Sequence, residues 1–158
     1  MTCFFVSDLH GRRSRYEALF DAIATERPDR VFIGGDLFAG GLRLSKDAGA
    51  RGDFVQDFLA KKLRGLRDTL RAAYPRIYVI AGNDDPRSLE PDIRALEAAE
   101  LWTYAHGSII SDREYLVAGY SYVPPSPFRL KDWERYDVSR FVDPGCTAPE
   151  EGLSLIHI

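Results

Sequence analysis

Little in this chain of 158 residues is available for cross-linking or for soft metal ligation: it holds two cysteines, one methionine and three histidines. Cys3 lies in an apolar run and Cys146 in a loop-like stretch, so the pair has neither metal-ligand spacing nor the numbers of a disulfide framework, and reduced thiols are expected. No apolar run approaches the roughly 20 residues of a membrane span, and no basic leader precedes a long apolar stretch. The expectation is a cytoplasmic protein with no membrane partner. Lysine and arginine number 21 against 24 acidic residues, a formal net charge of -3, and no Lys/Arg tract is present. Nucleic acid is therefore not indicated as a partner, and a phosphate-bearing substrate has to be gripped locally. There is no P-loop or dinucleotide-type glycine pattern, which argues against a nucleotide-binding α/β module, and no repeat at solenoid periods.

The composition is that of an ordinary folded domain, with 45% hydrophobic and 28% charged residues, which excludes an intrinsically disordered class. The chain opens with the apolar run Cys3–Val6, which stops at Ser7-Asp8-Leu-His10-Gly11. Ser14-Arg-Tyr-Glu17 then reads as a capping box before Tyr16, Leu19, Phe20 and Ile23 at helical spacing. Pro28-Asp29 punctuates the chain, Val31-Phe-Ile33 reads as a second strand, and it too stops on an acid, at Gly34-Gly35-Asp36. After a glycine-rich loop from Ala39 to Gly52, Asp53 with Gln56 caps a predicted helix carrying Val55, Phe58, Leu59, Leu63, Leu66 and Leu70 on one face, with Pro75 ending it. Ile77-Tyr-Val-Ile80 is the third predicted strand and stops at Gly82-Asn83-Asp84-Asp85-Pro86.

Strand-helix units repeated this way predict parallel strands joined by crossover helices. All three polar clusters then fall at one edge, the carboxyl edge of the sheet where ligands bind in such folds. Beyond Pro86, Pro91 opens a short predicted helix with Ile93, Leu96 and Leu101. Ser108-Ile-Ile110 and Tyr115-Leu-Val117 then read as a hairpin about Asp112-Arg113. From Tyr120 to Pro149 the chain is loop-like, rich in proline and aromatics.

The strand ends carry chemistry. Asp8 and His10, two apart on extended backbone, project to one side and reach one cation. A carboxylate with an imidazole suits a divalent metal of the Mn, Fe or Zn class better than calcium. Asp36 adds a carboxylate able to bridge two ions, and Asn83 adds an amide oxygen for the second. Two such ions about 3.5–4 Å apart share a hydroxide and stabilise the attacking and leaving oxygens of an in-line displacement.

Asp8-Leu-His10, Gly35-Asp36 and Gly82-Asn83-Asp84-Asp85, in this order and each at a strand end, resemble the first three motifs of the calcineurin-like metallophosphoesterases. Tyr122-Val-Pro-Pro-Ser-Pro-Phe128 and Lys131-Asp-Trp-Glu-Arg-Tyr136 are similar to the Icc-related branch of predicted phosphohydrolases. The resemblance implies hydrolysis of a phosphomonoester or phosphodiester by two divalent ions and their bridging hydroxide. Asp8, His10 and Asp36 would hold the first metal, and Asp36 and Asn83 the second. It implies an α/β fold: the front half of an αββα sandwich, with parallel strands and crossover helices followed by a hairpin. The family commonly has a leaving-group histidine where this chain has Asp84. A carboxylic acid there takes over that catalytic role only with a raised pKa. A non-catalytic interaction scaffold on the same fold is the alternative reading.

Family members supply further histidine ligands from later motifs. Here only His106, before Gly107 in an apparent turn, and the penultimate His157 remain. Leu153-Ser-Leu-Ile-His-Ile158 back-translates as CTG TCT CTT ATA CAC ATC, a transposon end used as a sequencing adapter. The reading is a truncated domain over residues 1–152, a tail of foreign origin over 153–158, little or no activity in the chain itself, and self-association through the face left uncovered.

Overall fold

The computed structural model describes residues 1–39 and 53–154; the glycine-rich loop up to Gly52 and His157 fall outside the described residues. Four parallel strands form one sheet in the order β1 (Cys3–Val6), β2 (Arg30–Ile33), β3 (Arg76–Val79) and β4 (Thr103–Tyr104). The register runs Val6 against Ile33 and Ile33 against Val79, so the first three strands end level. Sequential parallel order requires a crossover between each pair. Helix α1 (Arg13–Glu26) joins β1 to β2, a π-helical segment Asp53–Ala60 running into α2 (Lys61–Leu70) precedes β3, and α3 (Glu90–Ala98) precedes β4. The antiparallel hairpin β5 (Ile109–Asp112) and β6 (Tyr115–Ala118) follows, with Asp112 opposite Tyr115.

Alternation along the strands sorts the two faces of the sheet. Val31, Ile33, Ile77 and Val79 pack with Tyr16, Phe20 and Ile23 of α1 and with the expected stripe of Val55, Phe58, Leu59, Leu63, Leu66 and Leu70. The opposite face carries Phe5, 76% exposed, and the stacked rings of Phe32 and Tyr78, 5.4 Å apart. Towards the amino ends of β2 and β3 that face is covered by the hairpin. There Asp112, fully buried, accepts from Arg30, itself buried, and from Arg76. The two guanidinium groups hold its carboxyl below the usual carboxylate range.

Two expectations are corrected. Helix α1 begins at Arg13 with Arg12 in the cap position and no side-chain cap bond, so Ser14 lies inside the first turn and makes no capping box. The helix is set instead by Tyr16, Phe20 and Ile23 in the core, and it closes on Arg27, whose left-handed backbone lets its N–H reach Ile23 O at 2.9 Å. The capping role given to Asp53 concerns a side chain outside those described. The chain does not turn antiparallel directly after α3: it first adds β4, too short for periodicity to reveal. The stretch beyond Tyr120 is irregular yet pinned, with Val123 N donating to Trp133 O at 2.9 Å and Lys131 N to Leu153 O at 2.8 Å. Leu153 N also donates to Arg129 O at 2.6 Å and Ser154 Oγ to Asp132 Oδ1 at 2.7 Å.

Three substitutions test this packing. Gly65 sits exposed inside α2 with no atom within 4 Å of where a Cβ would stand. Gly65→Ala is expected to raise unfolding stability by about 0.5–1 kcal/mol in urea titrations, by removing backbone freedom from the unfolded chain. Asp112→Ala uncouples the hairpin from the sheet and is expected to lower the thermal midpoint by several degrees. Glu17→Gln, at the exposed pair with Lys62, is expected to change stability by about 0.5 kcal/mol at most.

Candidate metal centre

The level strand ends hand three loops to one edge of the sheet, and the first two continue to pair beyond it. Gly34 N donates to Val6 O at 2.8 Å, His10 N to Asp36 O at 2.7 Å and Gly11 N to Leu37 O at 2.9 Å. Asp8, His10 and Asp36 have positive φ angles of 60°, 49° and 53°. Such backbone is disfavoured for residues with a Cβ, and it persists only where surrounding bonds over-determine it. Here it turns three side chains towards one point. The left-handed turns at Asp8 and His10 replace the extended segment expected from their spacing, and convergence is reached by curling rather than by alternation.

Donor atoms from Asp8, His10 and Asp36 all lie within 4.8 Å of one another. His10 Nε2 is 3.5 Å from Asp8 Oδ1 and 4.0 Å from Asp36 Oδ2. Ligands about 2.1 Å from a tetrahedral ion stand about 3.4 Å from each other, so small side-chain adjustments close this group on a cation. Each of the three also has a second atom held from behind. Ser7 Oγ donates to Asp8 Oδ2, Asp84 N donates to Asp36 Oδ1 at 3.0 Å, and His10 Nδ1 stands 3.2 Å from Asp84 Oδ2. That leaves Asp8 Oδ1, His10 Nε2 and Asp36 Oδ2 facing inward, an oxygen and nitrogen set that fits a divalent transition metal.

The third loop is placed by contacts that sequence reasoning assigned to an ordinary turn. Asp85 is 1% exposed, and its carboxylate accepts from Leu37 N at 3.0 Å, Phe38 N at 2.8 Å and Gly82 N at 2.9 Å. Burial pushes its carboxyl up to about 6, against the pull of the three N–H groups. Gly82 passes so close to Asp36 that an added Cβ would stand 2.2 Å from Asp36 Oδ1. Asn83 lies between Gly82 and Asp84, both of which touch Asp36, and so borders the group. Burial and the neighbouring Asp36 charge raise Asp84 above its ordinary value, while the His10 charge and hydrogen bond oppose them.

Neighbouring residues that could bear on the site have other duties. Arg15 donates to the Asp8 carbonyl, and Arg13 lies 5.0 Å from the Phe58 ring. His106 is not a ligand in this group: its Nδ1 accepts from Ser121 N at 3.0 Å, and its ring meets Trp133 edge-on at 5.0 Å. Burial lowers its pKa. Trp133, nearly fully buried, donates from Nε1 to Asp85 O at 2.7 Å, so the proline- and aromatic-rich segment supports the third loop from below. Two successive acids before a proline were the only sequence signal for the Asp85 bracket.

The fold and the group at its carboxyl edge define an α/β protein with a candidate divalent-metal centre. The family model of the calcineurin-like phosphoesterases matches residues 1–151, and the chain belongs to that family. No curated protein matches the chain. Among solved structures, one crystal structure is similar at 18% identity with a TM-score of 0.48, covering 75% of this chain and 52% of its own. The chain thus spans about half the length of that structure. Among the described residues, no helix is long and apolar enough to cross a membrane.

Asp85→Ala strands three backbone N–H groups and is expected to lower stability by about 3 kcal/mol or more, read from denaturant midpoints at constant m-value. Gly82→Ala is expected to displace Asp36, reducing uptake of Mn2+ in calorimetric titration by at least about tenfold.

Proposed function

We propose that the protein carrying this chain hydrolyses a phosphoester, a monoester or a diester, with two divalent metal ions of the Mn, Fe or Zn class. The observation that carries this reading is the inward set of Asp8 Oδ1, His10 Nε2 and Asp36 Oδ2, each braced through its other atom. Bound divalent ions supply Lewis-acid polarisation of the phosphoryl group and activation of the attacking water. Asp36 would be the residue to hold both ions, and Asn83, between Gly82 and Asp84, would offer its amide oxygen to the second. Gly35 and Gly82 let the second and third loops pack backbone against backbone, since a Cβ on Gly35 would stand 2.6 Å from Gly82 Cα, and this packing keeps Asp36 beside the Gly82-Asn83-Asp84 turn. The reaction is assigned to the whole protein, with little or no turnover by this chain alone. On the same reading the chain self-associates through the sheet face that exposes Phe5.

The test is direct. The chain is expected to take up Mn2+ or Zn2+ in calorimetric titration, and Asp36→Asn to weaken that uptake by at least about 100-fold. The whole protein is expected to turn over p-nitrophenyl phosphate or its bis ester, with activity lost in EDTA and restored by Mn2+. A chain that binds neither metal favours the non-catalytic scaffold instead.

A further inference from the structure

We infer that Asp84 is a positioning residue: its carboxylate accepts from His10 Nδ1–H and so fixes the imidazole with its bare Nε2 towards Asp8 and Asp36. The inference rests on the metal-centre reading and gives this chain's departure at the leaving-group position a different duty from proton donation.

The geometry is specific. Asp84 Oδ2 lies 3.2 Å from His10 Nδ1, closer than either carboxylate that faces Nε2, at 3.5 and 4.0 Å. A neutral imidazole carries one proton, and the atom that holds it follows the nearer acceptor. With the proton on Nδ1, the lone pair on Nε2 points at the group formed with Asp8 and Asp36. Asp84 acts a second time through its backbone, whose N–H donates to Asp36 Oδ1 at 3.0 Å and leaves Oδ2 facing inward. One residue therefore orients two of the three ligands, through two different groups. A carboxylate engaged as acceptor on His10 is poorly placed to deliver a proton to a departing oxygen, which would require breaking that bond first. A histidine in its place reaches His10 only as a ring nitrogen, without the negative charge that raises the basicity of Nε2.

The experiment uses the full chain with 15N-labelled histidine, at a pH above the titration range of imidazole, and reads the two-bond 15N–1H pattern of each ring. His10 is assigned by its loss in His10→Gln. The wild-type His10 is expected to show protonated Nδ1 and bare Nε2. Asp84→Asn, whose amide oxygen still accepts a hydrogen bond, is expected to keep that tautomer. Asp84→Ala is expected to lose it, with the His106 signal unchanged as a check that the fold is intact. In parallel titrations Asp84→Ala is expected to weaken Mn2+ uptake by about 10-fold or more, and Asp84→Asn by much less.

A wild-type His10 protonated on Nε2, or a tautomer unmoved by Asp84→Ala, overturns the positioning role. Failure of the phosphoesterase reading looks different: no Mn2+ or Zn2+ uptake by the wild type, with the Asp84-dependent tautomer in place. Equal loss of turnover in Asp84→Asn and Asp84→Ala of the whole protein, without any change of tautomer, assigns Asp84 to proton donation instead and also overturns the inference.

Discussion

The carboxylate of Asp85 is removed from water and given three backbone N–H groups, two from the loop after β2 and one from its own loop after β3. The Asp84 N–H on Asp36 Oδ1, at 3.0 Å, is a second bond between the same two loops. An unpaired carboxylate at that depth would cost several kcal/mol, and three unpaired N–H groups would cost about 1–3 kcal/mol each, so neither partner is stable there without the other. The bracket has to form as a unit, and its formation sets the separation between Asp36 and the Gly82-Asn83-Asp84 turn. Trp133 then closes the turn from behind through the Asp85 carbonyl. The long irregular segment after the hairpin thereby contributes to the geometry of the site without lining it.

With the second and third loops fixed in this way, the left-handed backbone at Asp8, His10 and Asp36 becomes affordable. Each such residue costs of order 1–3 kcal/mol relative to relaxed backbone. The opposing contributions are local: His10 N on Asp36 O, Gly11 N on Leu37 O, and Tyr16 Oη donating to Leu37 O at 2.9 Å. The last of these ties the first helix to the second loop, so the hydrophobic burial of Tyr16 and the placement of Asp36 belong to one packed unit. Level strand ends make the rest geometry. Were β2 slipped by one residue, Asp36 would leave the edge and its side chain would turn to the other face.

What could be read before folding and what could not divide along a physical line. The repeated motif of a short β-favouring run ending on an acid was legible because strand termination is a local event, signalled by glycine and by loss of apolar side chains at Asp8, Asp36 and Asn83. The stripe from Val55 to Leu70 was legible because amphipathic spacing survives even where the first two turns wind as a π-helix. The fourth strand was not, since two residues carry no period and Thr103–Tyr104 is set by pairing with β3 and by Tyr104 N donating to Glu97 Oε1, contacts remote from local sequence pattern. Asp85 was hidden for a different reason: a buried acceptor and an exposed turn residue share the same letters, and the donors that distinguish them lie 47 and 48 positions earlier. The misread capping box at Ser14 has the same origin. Tertiary burial of Tyr16 and Phe20 set the start of the helix two residues earlier than local capping chemistry would have done.

The charge balance of the centre links these structural choices to its chemistry. Asp8, Asp36 and Asp84 surround a single imidazole, and the Asp36 charge already counts among the causes that raise Asp84. Three carboxylates held this close repel one another unless a cation stands among them, and the neutral Nε2 contributes a lone pair but no charge. One divalent ion among three carboxylates leaves the group net negative. The Asp85 bracket thus holds together charges that would otherwise drive the loops apart, and a cation converts that repulsion into cohesion. On this account the centre is ordered by the fold before any ion arrives, and an ion adds binding free energy that is not spent on assembling its own ligands.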